Sequence, residues 1–257
     1  MAFTDSLRSE WLKTRRSLAS ALVIVGAGFT PAVVIGARLL HADRIAALSA
    51  RPDFWPALWH NCWESMAIFF LPMGAILTAA LVTQIEVRNN AWKQVHVLPL
   101  TPAVVFLSKL AVIVGLMAQF VALFVAGVYL AGALPALAAG TAIPPEFPLA
   151  SFAHEAAFYF LDALPVVAIQ YALGLRFKSF LVPVGAGFLA WVAALAALAS
   201  KWGAMLPYAY TMYDFLKDDR HGKAAVPPFD IHAAAALWCA AALVVGFVLF
   251  VTKREKG

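Results

Sequence analysis

Charge is what this chain has least of. Only 13% of its 257 residues are Asp, Glu, Lys or Arg, against 63% hydrophobic, and the mean hydropathy is +0.82. Soluble domains carry about a quarter charged residues, so a chain this apolar could not cover a water-facing surface, and lipid is the expected solvent. Cysteine is equally scarce. Cys62 and Cys239 stand apart with no CxxC or Cys/His spacing, which supports neither a disulfide framework nor a zinc site. Cys239 reads as a small buried apolar residue. Catalytic signatures are missing too. No G-x-x-x-x-G-K-[ST] phosphate loop occurs, since Gly222-Lys223 is followed by Ala224 and lacks the upstream glycine. His154-Glu155-Ala156-Ala157-Phe158 begins like a zinc-protease helix, but Phe158 stands where the second His ligand is needed. There is no Gly-x-Ser-x-Gly elbow. No catalytic residue and no metal site is expected. The net charge of +5 is not a nucleic-acid signal; what matters is where the basic residues fall along the chain.

What is present is a set of long apolar runs. A bilayer core of roughly 30 Å needs about 20 helical residues. Six stretches reach that length: 17–40, 64–85, 103–131, 151–175, 179–200 and 231–252. They lack the alternation of barrel strands, so the expected fold class is all-α, a polytopic membrane protein with six transmembrane helices in a single domain over 1–257. The first run is too long for the apolar region of a cleaved signal peptide and is expected to stay as the first span.

The 19 basic residues set the orientation. With the N-terminus inside, the cytoplasmic segments hold Arg8, Lys13, Arg15, Arg16, Arg88, Lys93, Lys109, Arg176, Lys178, Lys253, Arg254 and Lys256. The outer segments hold Arg38, Arg44, Arg51, Lys201, Lys217, Arg220 and Lys223, four of them in the long segment 201–230. The bias favours both ends in the cytoplasm. Two amphipathic pieces flank the spans. Phe3, Leu7 and Trp11 repeat every fourth residue, as expected of an interfacial helix over 1–16. Trp55, Trp59 and Trp63 repeat likewise, and tryptophan's preference for headgroups predicts a short outer surface helix leading into the second span.

The most informative stretch lies between the second and third spans. Residues 86–109 read EVRNNAWKQVHVLPLTPAVVFLSK and are expected on the cytoplasmic face. Residues 87–97 suit a short amphipathic helix that Pro99 would end, with Glu86 at its amino end. A short helix carrying Trp92 and mixed charge fits docking to a soluble partner, and it equally fits a solvated loop with Trp92 at the membrane interface.

This segment resembles the cytoplasmic loop of type-2 ABC exporter permeases, in which an acidic residue, a short coupling helix, a Pro and a Lys at the start of the third span follow one another. Glu86, Pro99 and Lys109 occupy matching places. Asn90-Ala91-Trp92-Lys93 is similar to the Asn-Ser-Trp-Lys pattern of the subgroup that includes lantibiotic-immunity permeases, with Ala91 departing from it. Glu10-Trp11-Leu12-Lys13-Thr14-Arg15-Arg16 resembles the family's amphipathic lead-in helix, and six spans with an extended segment before the last agree over nearly the whole chain. The resemblance implies a permease subunit of an ATP-driven exporter in the bacterial inner membrane, without an ATPase site of its own. ATP and Mg would be bound by a separate cytoplasmic ATP-binding subunit, and none by this chain. The other implied partners are a second permease chain, identical or related, and membrane lipid; no nucleic acid is expected. Glu86, Arg88, Asn89, Asn90, Trp92 and Lys93, within the coupling segment 86–100, are the implied contacts with the ATPase.

Polar residues within the fourth run are the remaining candidates. Asp162 lies near its middle, where a carboxylate costs about 2.5–3.5 kcal/mol on the insertion scale, so it should face protein or water. Glu155 and Tyr159 precede it at helical spacing on one face. The three read either as a polar patch lining a substrate route or binding a cation, or as structural groups bonded to a neighbouring helix; no second intramembrane charge is evident as a partner for Asp162. Two other functions stay open on these residues: an ion-coupled secondary transporter with Glu155 and Asp162 as a proton relay, and a membrane enzyme or assembly scaffold. The absence of internal repeats and of paired broken helices counts against the first.

Overall fold

The computed structural model describes residues 2–88, 101–144, 146–217 and 227–252, and among these the regular elements are all helical. The chain begins with α1 (Ala2–Thr14) and turns at Ser17, whose hydroxyl accepts the amide of Ala19 and starts α2 (Leu18–Leu40). On the far side α3 (Ile45–Ser49) is a single short turn. Then α4 (Phe54–Ser65) runs through a π-helical turn, Met66–Phe70, into α5 (Leu71–Arg88). After the coupling segment comes α6 (Pro102–Ala138), begun by Thr101 accepting the amide of Val104 and by Pro102 in the first helical position. The remaining elements are α7 (Leu149–Arg176), α8 (Leu181–Ala197), α9 (Tyr210–Leu216) and α10 (Ile231–Val251).

Five stretches are long and apolar enough to cross a membrane: Leu18–Leu40, Phe54–Ile85, Pro102–Ala138, Leu149–Arg176 and Ile231–Val251. The sixth, α8, has 17 residues and rises about 26 Å, at the short end of spanning lengths. The 37 residues of α6 rise about 55 Å, well beyond a bilayer core, so this helix must tilt or project past it. The bundle centre is the Phe54–Ile85 stretch with α6 and α7; α2 lies along α6, and α10 along α7. The peripheral pair present continuous apolar surfaces, Ile24, Val25, Phe29 and Val33 on α2 and Leu237, Val244, Val245 and Val248 on α10, as lipid requires.

Two expectations are corrected here. The tryptophan row does not form a surface helix. Trp55, Trp59 and Trp63 are all buried, on a helix continuous with the second span. Trp59 stacks on Phe152 with ring centroids 4.1 Å apart, Trp63 stacks on Tyr159 at 4.0 Å and meets Phe124 edge-on, and Trp55 lies against Tyr129 and Phe147. Trp55 fits because Gly132 faces it; a Cβ there would run into the indole ring. These partners come from α6, α7 and the segment before α7, so an aromatic core outweighs the headgroup preference of any one ring.

The segment before the last span is not a plain outer loop either. Residues 203–216 of it fold into the bundle and bury Tyr208, Tyr210, Thr211, Met212, Tyr213, Asp214 and Phe215. The π turn is the reason it belongs there. A π turn leaves main-chain carbonyls without their normal helical donors, and in a bundle that water does not reach they need side-chain donors. Thr211 Oγ1 donates to the Ala67 carbonyl at 2.8 Å, and Trp191 Nε1 to that of Ile68 at 2.8 Å. Nearby, Gln170 Nε2 donates to the Tyr208 hydroxyl at 2.7 Å.

Candidate functional site

The first candidate region is where α1 packs against the start of α6. On α1 the face turned to α6 is polar: Ser6, Glu10 and Thr14, at four-residue spacing, are buried, while Phe3 and Trp11 remain substantially exposed beside them. Polar groups can turn inward only if α6 supplies partners. Ser6 Oγ lies 2.8 Å from Ser108 Oγ, and Lys109 Nζ donates to Glu10 Oε2 at 2.7 Å. Lys13 donates to the other oxygen, Glu10 Oε1, at 2.6 Å. Lys109 is 1% exposed. Burial alone would raise the Glu10 carboxyl, but Lys109 beside it and Lys13 override burial and hold it below the ordinary carboxylate range. Lys109 therefore ties the second turn of α6 to the lead-in helix. Its place in the sequence was noticed through the family resemblance, but its partner was not. The signal was present: Ser6, Glu10 and Thr14 form a polar stripe parallel to Phe3, Leu7 and Trp11.

The coupling residues themselves fall at the edge of what is described. Glu86 and Arg88 lie in the last described residues of α5, so the backbone of the second span continues through Glu86; Asn89, Asn90, Trp92 and Lys93 lie outside the described residues.

The second region surrounds Asp162, which is fully buried at the middle of α7. Asp162 has a hydrogen-bonding partner that the sequence reading did not find: His232 Nδ1 lies 2.9 Å from Asp162 Oδ1, and its Nε2 lies 3.6 Å from Asp214 Oδ1. Asp214 is itself paired with Lys217. His232 is held in place by Asp230, whose carboxylate accepts the amides of His232 and Ala233 and starts α10. The other two residues of the predicted patch precede Asp162 on the same helix, α7. Tyr159 stacks on Trp63 in the aromatic core, and Glu155 is half-buried nearly two turns earlier on α7. Sequence reasoning missed His232 and Asp214 because neither lies near Asp162 in the chain.

Between α6 and α7 there is an apolar cleft of about 660 Å³, lined by small residues such as Ala118, Ala122, Ala126, Ala153 and Ala157 and by the rings of Tyr129 and Phe147.

An all-helical bundle with several apolar spans defines a multi-pass membrane protein. Residues 6–194 match the family described as ABC-2 family transporter protein, which covers well over half of the chain, and the protein belongs to that family. It is a membrane permease of ABC transporters, a transport subunit whose family works with an ATP-binding subunit. The match includes the coupling segment and both halves of the Glu10–Lys109 pair. No curated protein matches the chain.

Proposed function

We propose that this chain is the pathway-forming subunit of an ATP-driven exporter in the bacterial inner membrane. Both its ends lie in the cytoplasm, it works beside a second permease chain, and the ATPase docks on residues 86–100. The observation that carries this reading is the buried Glu10–Lys109 pair. A force applied to the coupling segment reaches Thr101 and then α6. Two turns further on, Lys109 fastens α6 to α1, and α2 lies along α6. Removing one partner of a buried ion pair costs about 3–5 kcal/mol, so these helices respond as a body and do not slide past one another. ATP and Mg²⁺ belong to the partner and supply the free energy of the cycle; this chain receives the motion and moves its spans. The apolar cleft between α6 and α7 favours a substrate with a large hydrocarbon surface, such as a lipid-like compound or an apolar peptide.

The test is co-purification of the ATPase with wild-type and Trp92→Ala permease at matched expression. An interface tryptophan contributing about 2 kcal/mol gives about a thirtyfold loss of affinity on truncation. The variant chain should insert and fold normally, yet recover far less ATPase. Equal recovery and equal transport would place Trp92 at the lipid interface and remove the docking role of this segment.

A further inference from the structure

Asp162, Asp214 and His232 come from three different elements, α7, α9 and α10, and each can offer one ligand atom such that all three atoms lie within 4.8 Å of one another. We propose that they form a binding site for a divalent first-row transition cation, zinc foremost, which fastens the inserted segment 203–216 to the spans. This departs from the sequence reading, which expected no metal ligands.

The donor set selects the ion. One imidazole and two carboxylates suit zinc and its neighbours, whereas Ca²⁺ and Mg²⁺ take more ligands and only oxygen. The spacing fits as well. His232 Nδ1 and Asp162 Oδ1 are 2.9 Å apart, so an opening of about half an ångström brings them to the separation of roughly 3.4 Å that two tetrahedral ligands have at metal bonds of roughly 2.1 Å. An independent observation also points to a cation. Asp162 Oδ2, the second oxygen of the same carboxyl, is sealed from solvent and has no hydrogen-bond partner. A buried carboxylate normally has both oxygens satisfied, and a bidentate or bridging metal contact satisfies both at once. Asp214 is buried, while His232 is about one-fifth exposed and Lys217 about half exposed. The incoming ion passes His232, and Lys217 swings outward as the ion takes over Asp214. Three protein ligands leave a fourth position for water.

The test uses the full-length, tag-free chain purified in detergent, stripped with chelator and titrated calorimetrically with Zn²⁺. Wild type should bind one Zn²⁺ per chain, undisturbed by excess Mg²⁺ or Ca²⁺, and its melting temperature should rise with zinc. Outer-shell changes alone weaken metal sites by about 10–100-fold, so His232→Ala and Asp214→Asn, which remove ligands, should weaken binding by more than about 100-fold. His41→Ala should change nothing. His232→Cys guards against a folding artefact: a thiolate also binds zinc, so binding should persist, and Co²⁺ should acquire a sulfur-to-metal charge-transfer band absent from wild type. A wild-type chain that binds no zinc would overturn the proposal. Stoichiometric binding that survives both His232→Ala and Asp214→Asn would overturn it too.

Discussion

Replacing Glu10 by Gln isolates the contact on which force transmission depends. The amide keeps the shape but removes the charge opposite Lys109 Nζ, 2.7 Å away on a side chain that is 1% exposed. Losing one partner of a buried pair costs about 3–5 kcal/mol, and 3 kcal/mol alone shifts the folding equilibrium by more than about 100-fold. Lys109→Met should cost less, because Lys13 stays on the other Glu10 oxygen. The double variant Glu10→Gln with Lys109→Met should cost less than the sum of the two single changes, since it leaves neither charge buried. The assay is denaturant or thermal unfolding of the purified chain in detergent, arranged as a double-mutant cycle. The pH dependence gives a second readout. The Glu10 carboxyl is held below its ordinary range, so its stabilisation is fully present above that range and is lost as pH falls through the lowered folded value. Wild type should lose stability in acid at that point, and Glu10→Gln should lack that component. Additive costs, or a Glu10→Gln penalty under about 1 kcal/mol, would refute the reasoning.

Other outcomes follow from the packing. Trp63→Ala removes a ring stacked on Tyr159 and abutting Phe124, and should cost about 3–5 kcal/mol in the same unfolding assay. Gly132→Ala drives a Cβ into Trp55 and should cost about 1–3 kcal/mol, with a shift in tryptophan fluorescence. Trp191→Phe leaves the Ile68 carbonyl of the π turn without its donor, for about 1–3 kcal/mol. For orientation, Lys201→Cys in a chain whose Cys62 and Cys239 are replaced should react with a membrane-impermeant thiol reagent added outside intact cells; labelling only by a permeant reagent would reverse the topology.

The spans were legible because each is a long stretch with few charges, a signal that needs no knowledge of neighbours. The outward faces of α2 and α10 follow from the same property. Trp55, Trp59 and Trp63 were misread because a tryptophan row looks the same at a headgroup layer and in an aromatic core; only Phe124, Phe152 and Tyr159, far along the chain, decide between them. The segment 203–216 carries turn-forming Gly203 and Pro207, so it read as a loop, yet Thr211 fits a carbonyl exposed by a π turn that sequence gave no reason to expect. Asp162 was correctly identified as costly. Its partners were invisible because His232 counts as uncharged in a hydropathy reading and Asp214 sits in that same apparent loop. Lys109 was noticed by its position and Glu10 by its motif, but their pairing needed α1 to lie along α6 with its polar stripe inward.

The central claim is that this permease is driven by a separate ATPase, and purification of the tagged chain from its native membrane tests it most directly. The account predicts a complex of two permease chains with an accompanying ATPase of soluble composition. ATP hydrolysis by that complex should be abolished by mutating the partner's phosphate-loop lysine, and its response to substrate should be lost in Trp92→Ala. A chain that purifies without any ATPase and carries out transport on an ion gradient alone would contradict the account.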